Sequence, residues 1–257
     1  MISTNVWFDN DGWLHSGENS WITVHHRPTK RKWTGMHPII KSKYNDQLHG
    51  TVTHYDALPN AERTVRGFTN GKKGASTHFV ISRKGVIYQL ASIKDRTWHA
   101  GFKRDADGKV VEWPETNGQM LLANGVYTES PNHWCVGIDL SNWGWLTASN
   151  GKYYSHAKTE VRIGDVFFDA NGRPWEKYTE DAKEAYTELM VALTLELDII
   201  EGMHYRHEDT SPTRKTDPGP ALPFHSIIKH VYKLVESYAL YDDYDFDRMG
   251  NNDDLIC

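Results

Sequence analysis

Cysteine is scarce in this chain: among 257 residues there are two, Cys135 inside an apolar run and Cys257 at the last position. Two thiols so placed exclude a disulfide framework, and both are read as free. Long apolar runs are missing as well. Nothing approaches the roughly 18 consecutive apolar residues that a membrane-spanning helix requires. Met1 to His15 shows no basic start followed by an apolar segment, so no signal peptide is visible. The expectation is synthesis in the cytoplasm without membrane insertion, any role outside depending on another export route. Positive charge is not concentrated anywhere. The net charge is -5 and no basic run of five residues occurs, which excludes a nucleic-acid footprint. Repeats and low-complexity linkers are absent, and a hydrophobic fraction of 39% excludes disorder of the whole chain.

What is present reads as one mixed domain. Trp21 to His26 is rich in Ile, Thr and Val and reads as a strand ending in two histidines. Residues 27–74 are polar and lack sustained periodicity; they read as loops with one short helix. Thr77 to Ile81 and Val86 to Leu90 are apolar runs joined by Ser82-Arg83-Lys84-Gly85, a hairpin signal. Trp134 to Leu140 reads as a buried strand, and residues 102–132 as a long surface loop. Thr179 followed by Glu180 and Asp181 starts a helix. Ala182, Tyr186, Leu189, Leu193 and Leu197 carry it at helical spacing, and Phe224, Ile228, Val231, Val235 and Tyr238 give a second. Strands first and helices later predict an α/β fold: a central mixed β-sheet flanked by helices, in a single domain over residues 1–240. Its core is expected at 21–238, with insertions near 27–75 and 102–132. Residues 241–257, rich in Asp, are expected to form a flexible tail.

Chemistry is concentrated in a few places. Arg206 to Pro220 connects the two helices and carries a candidate metal ligand near each end, His207 and Asp217. A polar helix connection explains the same letters. Val24-His25-His26 ends a strand, and alternation lets only one of the two histidines enter a cleft above the sheet; a surface His pair is the plainer reading. A His-His-Asp set with an open fourth position suits a catalytic zinc. Asp139 is a carboxylate inside the apolar strand Val136 to Leu140. It is either a paired structural group or a base. Lys215, two residues before Asp217, is within reach of the same centre as an oxyanion-stabilising cation, or else is a solvated loop lysine.

Taken in order, these pieces resemble a known family. Val24-His25-His26, His78-Phe79-Val80-Ile81 with Gly85, Tyr88-Gln89-Leu90, Trp98-His99-Ala100-Gly101, Asn132 to Leu140, Gly172 to Thr179 and Arg206 to Pro220 are similar to the successive motifs of the zinc-dependent N-acetylmuramoyl-L-alanine amidases of the amidase-2 and peptidoglycan recognition protein group. The resemblance spans Trp21 to His225. It implies hydrolysis of the amide between N-acetylmuramic acid and L-alanine of peptidoglycan or a muropeptide, with one zinc ion held by His25, His207 and Asp217. It implies Asp139 as base, where recycling-type members usually carry Glu, and Lys215 at the tetrahedral intermediate. Trp98 and His99 are implied at the substrate groove, with His26 and Thr77 as further substrate-side candidates; Thr77 stands where phage-type members carry a helping Tyr. Arg206 and Thr213 replace glycines of the closing motif, which predicts a locally altered loop with its ligands retained. The same resemblance fits action in the cytoplasm as a recycling enzyme, or at the cell wall after release or secretion. A non-catalytic muropeptide-binding module is the rival reading, and the oligomeric state is left open.

Overall fold

The computed structural model describes residues 5–30, 32, 49–70, 74–101, 131–211 and 214–249. Its centre is a six-stranded sheet built from β3 (Val24–His26), β4 (Gly50–Tyr55), β5 (Phe79–Ile81), β6 (Ile87–Gln89), β7 (Cys135–Leu140) and β13 (His204–Arg206). The strand order is β13-β4-β7-β5-β6-β3. β13, β4, β7 and β5 run parallel; β5 and β6 form the antiparallel hairpin that Gly85 turns, and β3 lies parallel to β6 at the far edge. The mixed α/β sheet expected from the sequence is therefore the observed architecture.

Helices cover both faces. α2 (Glu180–Leu197) begins at Thr179, whose side chain accepts from the Ala182 amide. Its buried Ala185, Tyr186, Leu189 and Leu193 join Phe79, Ile81, Ile138 and Leu140 in the main core. α4 (Phe224–Met249) packs beside it through Ile227, Ile228 and Val231. The opposite face carries α1 (Ala61–Thr69), whose Val65 and Phe68 close over Val80 and Leu90. None of the described helices is long and apolar enough to cross a membrane.

Three regions differ from the sequence reading. The stretch read as loops with one short helix does hold the helix, α1, but it also holds β4, a fully paired central strand. Gly50-Thr51-Val52-Thr53-His54-Tyr55 alternates β-branched residues, but its threonines disguise it. Their hydroxyls are satisfied by distant partners, Thr53 Oγ1 by Tyr186 Oη of α2 at 2.7 Å and Thr51 Oγ1 by His204 Nδ1 of β13 at 3.0 Å, so polar letters sit in a buried strand. The last helix does not stop near residue 240 but continues to Met249, into the segment expected as a tail. The chain also builds small β elements that the sequence reading passed over. An N-terminal hairpin pairs β1 (Val6–Phe8) with β2 (Leu14–Ser16); β8 (Thr147–Ser149), β9 (Lys152–Tyr154) and β10 (Glu160–Val161) form one small sheet, and β11 (Val166–Phe168) and β12 (Pro174–Glu176) another. Most of the loop expected at 102–132 lies outside the described residues.

Candidate metal centre

Because β4, β7 and β13 are parallel, their C-terminal ends lie together, the usual place for a site in such a sheet. His54 is the last inward-facing residue of β4. Asp139 is its partner in register on β7, so the two side chains stand next to each other on one face. His207 opens the single-turn helix α3 (His207–Thr210) immediately after β13. The loop from Ser211 returns Asp217 to the same point, where the Asp217 carbonyl accepts from the Glu208 amide at 3.0 Å. Beyond it the Tyr178 hydroxyl donates to the Pro218 carbonyl at 2.8 Å. Gly219 adopts φ +74°, and an added Cβ would sit 2.5 Å from the Trp175 ring, so only glycine lets the loop lie this close.

The result is a convergence of three ligand atoms. His54 Nδ1 is 2.8 Å from His207 Nδ1 and 3.2 Å from Asp217 Oδ2, and His207 Nδ1 is 2.8 Å from Asp217 Oδ2. All three side chains are buried, and together they form a group that could hold a metal ion. Burial alone would raise the Asp217 pKa, but its contacts with His207 and His54 prevail and hold it well below the usual carboxylate range. Burial and the neighbouring His54 push His207 down to about 4, against the pull of Asp217. A neutral His207 imidazole beside an ionised Asp217 carboxylate is the protonation a divalent cation needs. Zinc bonds of about 2.0–2.1 Å in a tetrahedron separate ligand atoms by roughly 3.3 Å, so the trio accommodates an ion with an outward shift of a few tenths of an ångström. The donor set fits.

An open groove of about 500 Å³ adjoins the centre, lined by Trp98, His99, Asn132, His207, Arg214 and Lys215 among others. Arg214 braces it, donating to the Gly101 carbonyl at 2.7 Å and to Ser211 Oγ at 2.8 Å. His99 lies between groove and sheet. Its Nδ1 is 3.2 Å from His54 Nε2 and its Nε2 is 3.0 Å from the Cys135 carbonyl. Burial, together with the adjacent His54 and His78 rings, holds its pKa well below the ordinary value.

The residues singled out from the sequence divide accordingly. His207, Asp217, Asp139, Lys215, Trp98 and His99 are gathered at or beside the centre. His25 is not, and the expectation that it completes the ligand set is corrected. Register connects His54, Asp139, Val80, Tyr88 and His25 in one row across the sheet. Four strand spacings separate the two histidines, roughly 19 Å. The His25 ring packs on Tyr88 instead, at 5.5 Å. His26 packs too: its Nε2 meets the Leu14 carbonyl at 2.8 Å, and its ring lies against Trp13 and His15. Thr77 is fully buried and does not line the groove. Arg206 needs no glycine geometry: its backbone is ordinary extended chain (φ −84°, ψ 152°), and its guanidinium pairs with Asp209 and Glu208. Thr213 lies outside the described residues. The residue missed was His54, and the alternating Thr51-Val52-Thr53-His54 is the signal that identifies it.

The family model for N-acetylmuramoyl-L-alanine amidase matches residues 44–220. The chain belongs to that family. The matched region contains His54, Asp139, His207, Lys215 and Asp217, and begins well after His25. Among characterised relatives, the N-acetylmuramoyl-L-alanine amidase AmiD of Escherichia coli is 24% identical over 212 residues, 77% of this chain. The chain spans 56% of the length of that relative. Solved structures similar to it include E. coli AmiD in complex with anhydro-N-acetylmuramic acid-L-Ala-D-gamma-Glu-L-Lys. That match has 17% identity and a TM-score of 0.49, covering 88% of this chain and 66% of that one. AmpDH3 of Pseudomonas aeruginosa with anhydromuramic pentapeptide is 20% identical with a TM-score of 0.46, covering 75% of this chain and 62% of that one.

Proposed function

We propose that the chain hydrolyses the amide bond between N-acetylmuramic acid and L-alanine in peptidoglycan or its fragments, using one zinc ion held by His54, His207 and Asp217. The observation that carries the reading is the convergence of these three ligand atoms at the edge of an open groove, in a chain of this family. Zinc in such a set acts as a Lewis acid and lowers the pKa of bound water toward about 7.

The chain's own residues supply the rest. Asp139, beside His54 on the same face of the sheet, is the carboxylate placed to take a proton from the attacking water and return it to the leaving L-alanine amine. Lys215 on the groove wall offers a positive charge where the carbonyl oxygen becomes negative. Trp98 gives the groove an aromatic surface against which a sugar ring or stem peptide packs. His25, His26 and Thr77 take no part in the reaction.

The test is digestion of purified peptidoglycan, and separately of soluble anhydro-muropeptides, by the zinc-loaded protein, read by mass spectrometry with Asp217→Ala as control. Stem peptides that begin at L-alanine and are absent from the control establish the amidase. Release from the polymer assigns a lytic role, and release from the soluble fragments alone assigns a recycling role. Binding of muropeptide with no product from either substrate would replace the enzyme by a binding module.

A further inference from the structure

Among the described residues, His99 is the one histidine besides the proposed ligands that touches both such a ligand and the backbone of the sheet, and its two contacts determine where the protons sit. The Cys135 carbonyl can only accept. The His99 Nε2 that lies 3.0 Å from it therefore carries the proton, and in a neutral ring Nδ1 is then bare. That bare Nδ1 is 3.2 Å from His54 Nε2, so His54 must donate from Nε2. His54 Nδ1 is thereby left with its lone pair directed at His207 Nδ1 and Asp217 Oδ2. Two hydrogen bonds in series, starting from the carbonyl of the first residue of β7, thus fix the tautomer that a metal ligand requires.

The ring is held firmly enough to do this. Asn132 Oδ1 accepts from the backbone amides of both His99 and Ala100, at 2.8 and 2.6 Å. Beneath the ring lies Gly137, where an added Cβ would stand 2.5 Å from His99 Cγ. Glycine at 137 lets the His99 side chain press close against the strand; any other residue displaces it.

We propose that His99 is a positioning residue for the metal centre, acting through His54: it holds the Nε2–H tautomer and the ring orientation that present Nδ1 to the ion. The proposal rests on the reading of His54 as a ligand. Partners of this kind typically account for roughly 10- to 100-fold in metal affinity.

The experiment measures zinc affinity by competition with a chromophoric chelator for the full chain, His54→Ala, His99→Leu and His99→Asn, with thermal melting of each metal-free variant to confirm folding. Leucine removes the acceptor. Asparagine places an oxygen near the position of Nδ1 and restores it. The expected result is that affinity falls roughly 10- to 100-fold in His99→Leu and stays within about threefold of the parent in His99→Asn. Unchanged affinity in His99→Leu, or equal losses in both variants, overturns the proposal. Equal zinc binding by the parent and His54→Ala would instead defeat the ligand assignment itself, and the proposal with it. Should His99→Leu fail to fold, long-range ¹H–¹⁵N correlation on the zinc-loaded parent decides. A proton on His54 Nε2 with a bare His99 Nδ1 upholds it, and a proton on His99 Nδ1 overturns it.

Discussion

His54 and His207 face each other Nδ1 to Nδ1 at 2.8 Å, with Asp217 Oδ2 within 3.2 Å of both nitrogens. Three atoms that each present a lone pair meet where little besides a proton or a cation can reconcile them. Their positions come from two separate parts of the sequence, a strand in the first quarter of the chain and a loop near its end.

Zinc should stabilise the parent protein and not His54→Ala. A ligand at a hundredfold excess over its Kd adds about 2.7 kcal/mol, a rise of several degrees in melting temperature. His25→Ala, four strands away, should show the full rise. Loss of the rise in His25→Ala with retention in His54→Ala would reverse the assignment.

Asp139→Asn should keep zinc affinity and lose activity by roughly 10²- to 10⁴-fold, the usual contribution of a positioned base. The comparison is turnover of a soluble muropeptide at saturating zinc. Activity within threefold of the parent would show that Asp139 is structural.

Lys215→Met should lower turnover by roughly 10²- to 10³-fold, as loss of an oxyanion-stabilising group does, with substrate affinity less affected. A change confined to KM would move Lys215 from the transition state to ground-state binding.

Gly137→Ala should weaken zinc binding although residue 137 touches no ligand, because the new Cβ displaces the His99 ring. Unaltered chelator competition in this variant would show that the ring is not needed where it stands.

Stability of the metal-free protein should fall as pH drops from about 6.5 to 4. Burial pushes His78 and His207 down to about 4 and His204 down to about 3 from 6.5. In that window the unfolded chain binds protons the folded chain refuses, so stability is full above the unfolded pKa and lost below it. Asp56 runs the other way. Burial raises it to about 6 from 3.8, so the folded chain holds a proton there that the unfolded chain lacks. These four groups leave a surplus of up to two protons, each worth ~1.4 kcal/mol per pH unit, and His99, also held well below its ordinary value by burial, adds in the same direction. Urea midpoints at pH 7, 5.5 and 4.5 should decline in sequence, and a flat series would contradict neutral buried histidines.

Much of the fold and part of the site were legible in the letters. Helical spacing located α2 and α4, and the hairpin around Gly85 followed from its turn. The closing loop displayed His207, Lys215 and Asp217 within eleven consecutive residues. The first ligand was not legible in the same way. Val24-His25-His26 looks like a strand ending in histidines and is one, but it sits at the far edge of the sheet. Gly50 to Tyr55 looks polar because its threonines are satisfied by Tyr186 and His204, partners more than a hundred residues away. Strand order, which decides which histidine meets His207, is a property of pairing and not of any local pattern.

The most direct measurement is an anomalous difference map from crystals of the zinc-loaded protein, with data on either side of the zinc absorption edge. One peak is expected within bonding distance of His54 Nδ1, His207 Nδ1 and an Asp217 oxygen, open toward the groove on its fourth side. A peak beside His25, or none among these three residues, would contradict the ligand assignment.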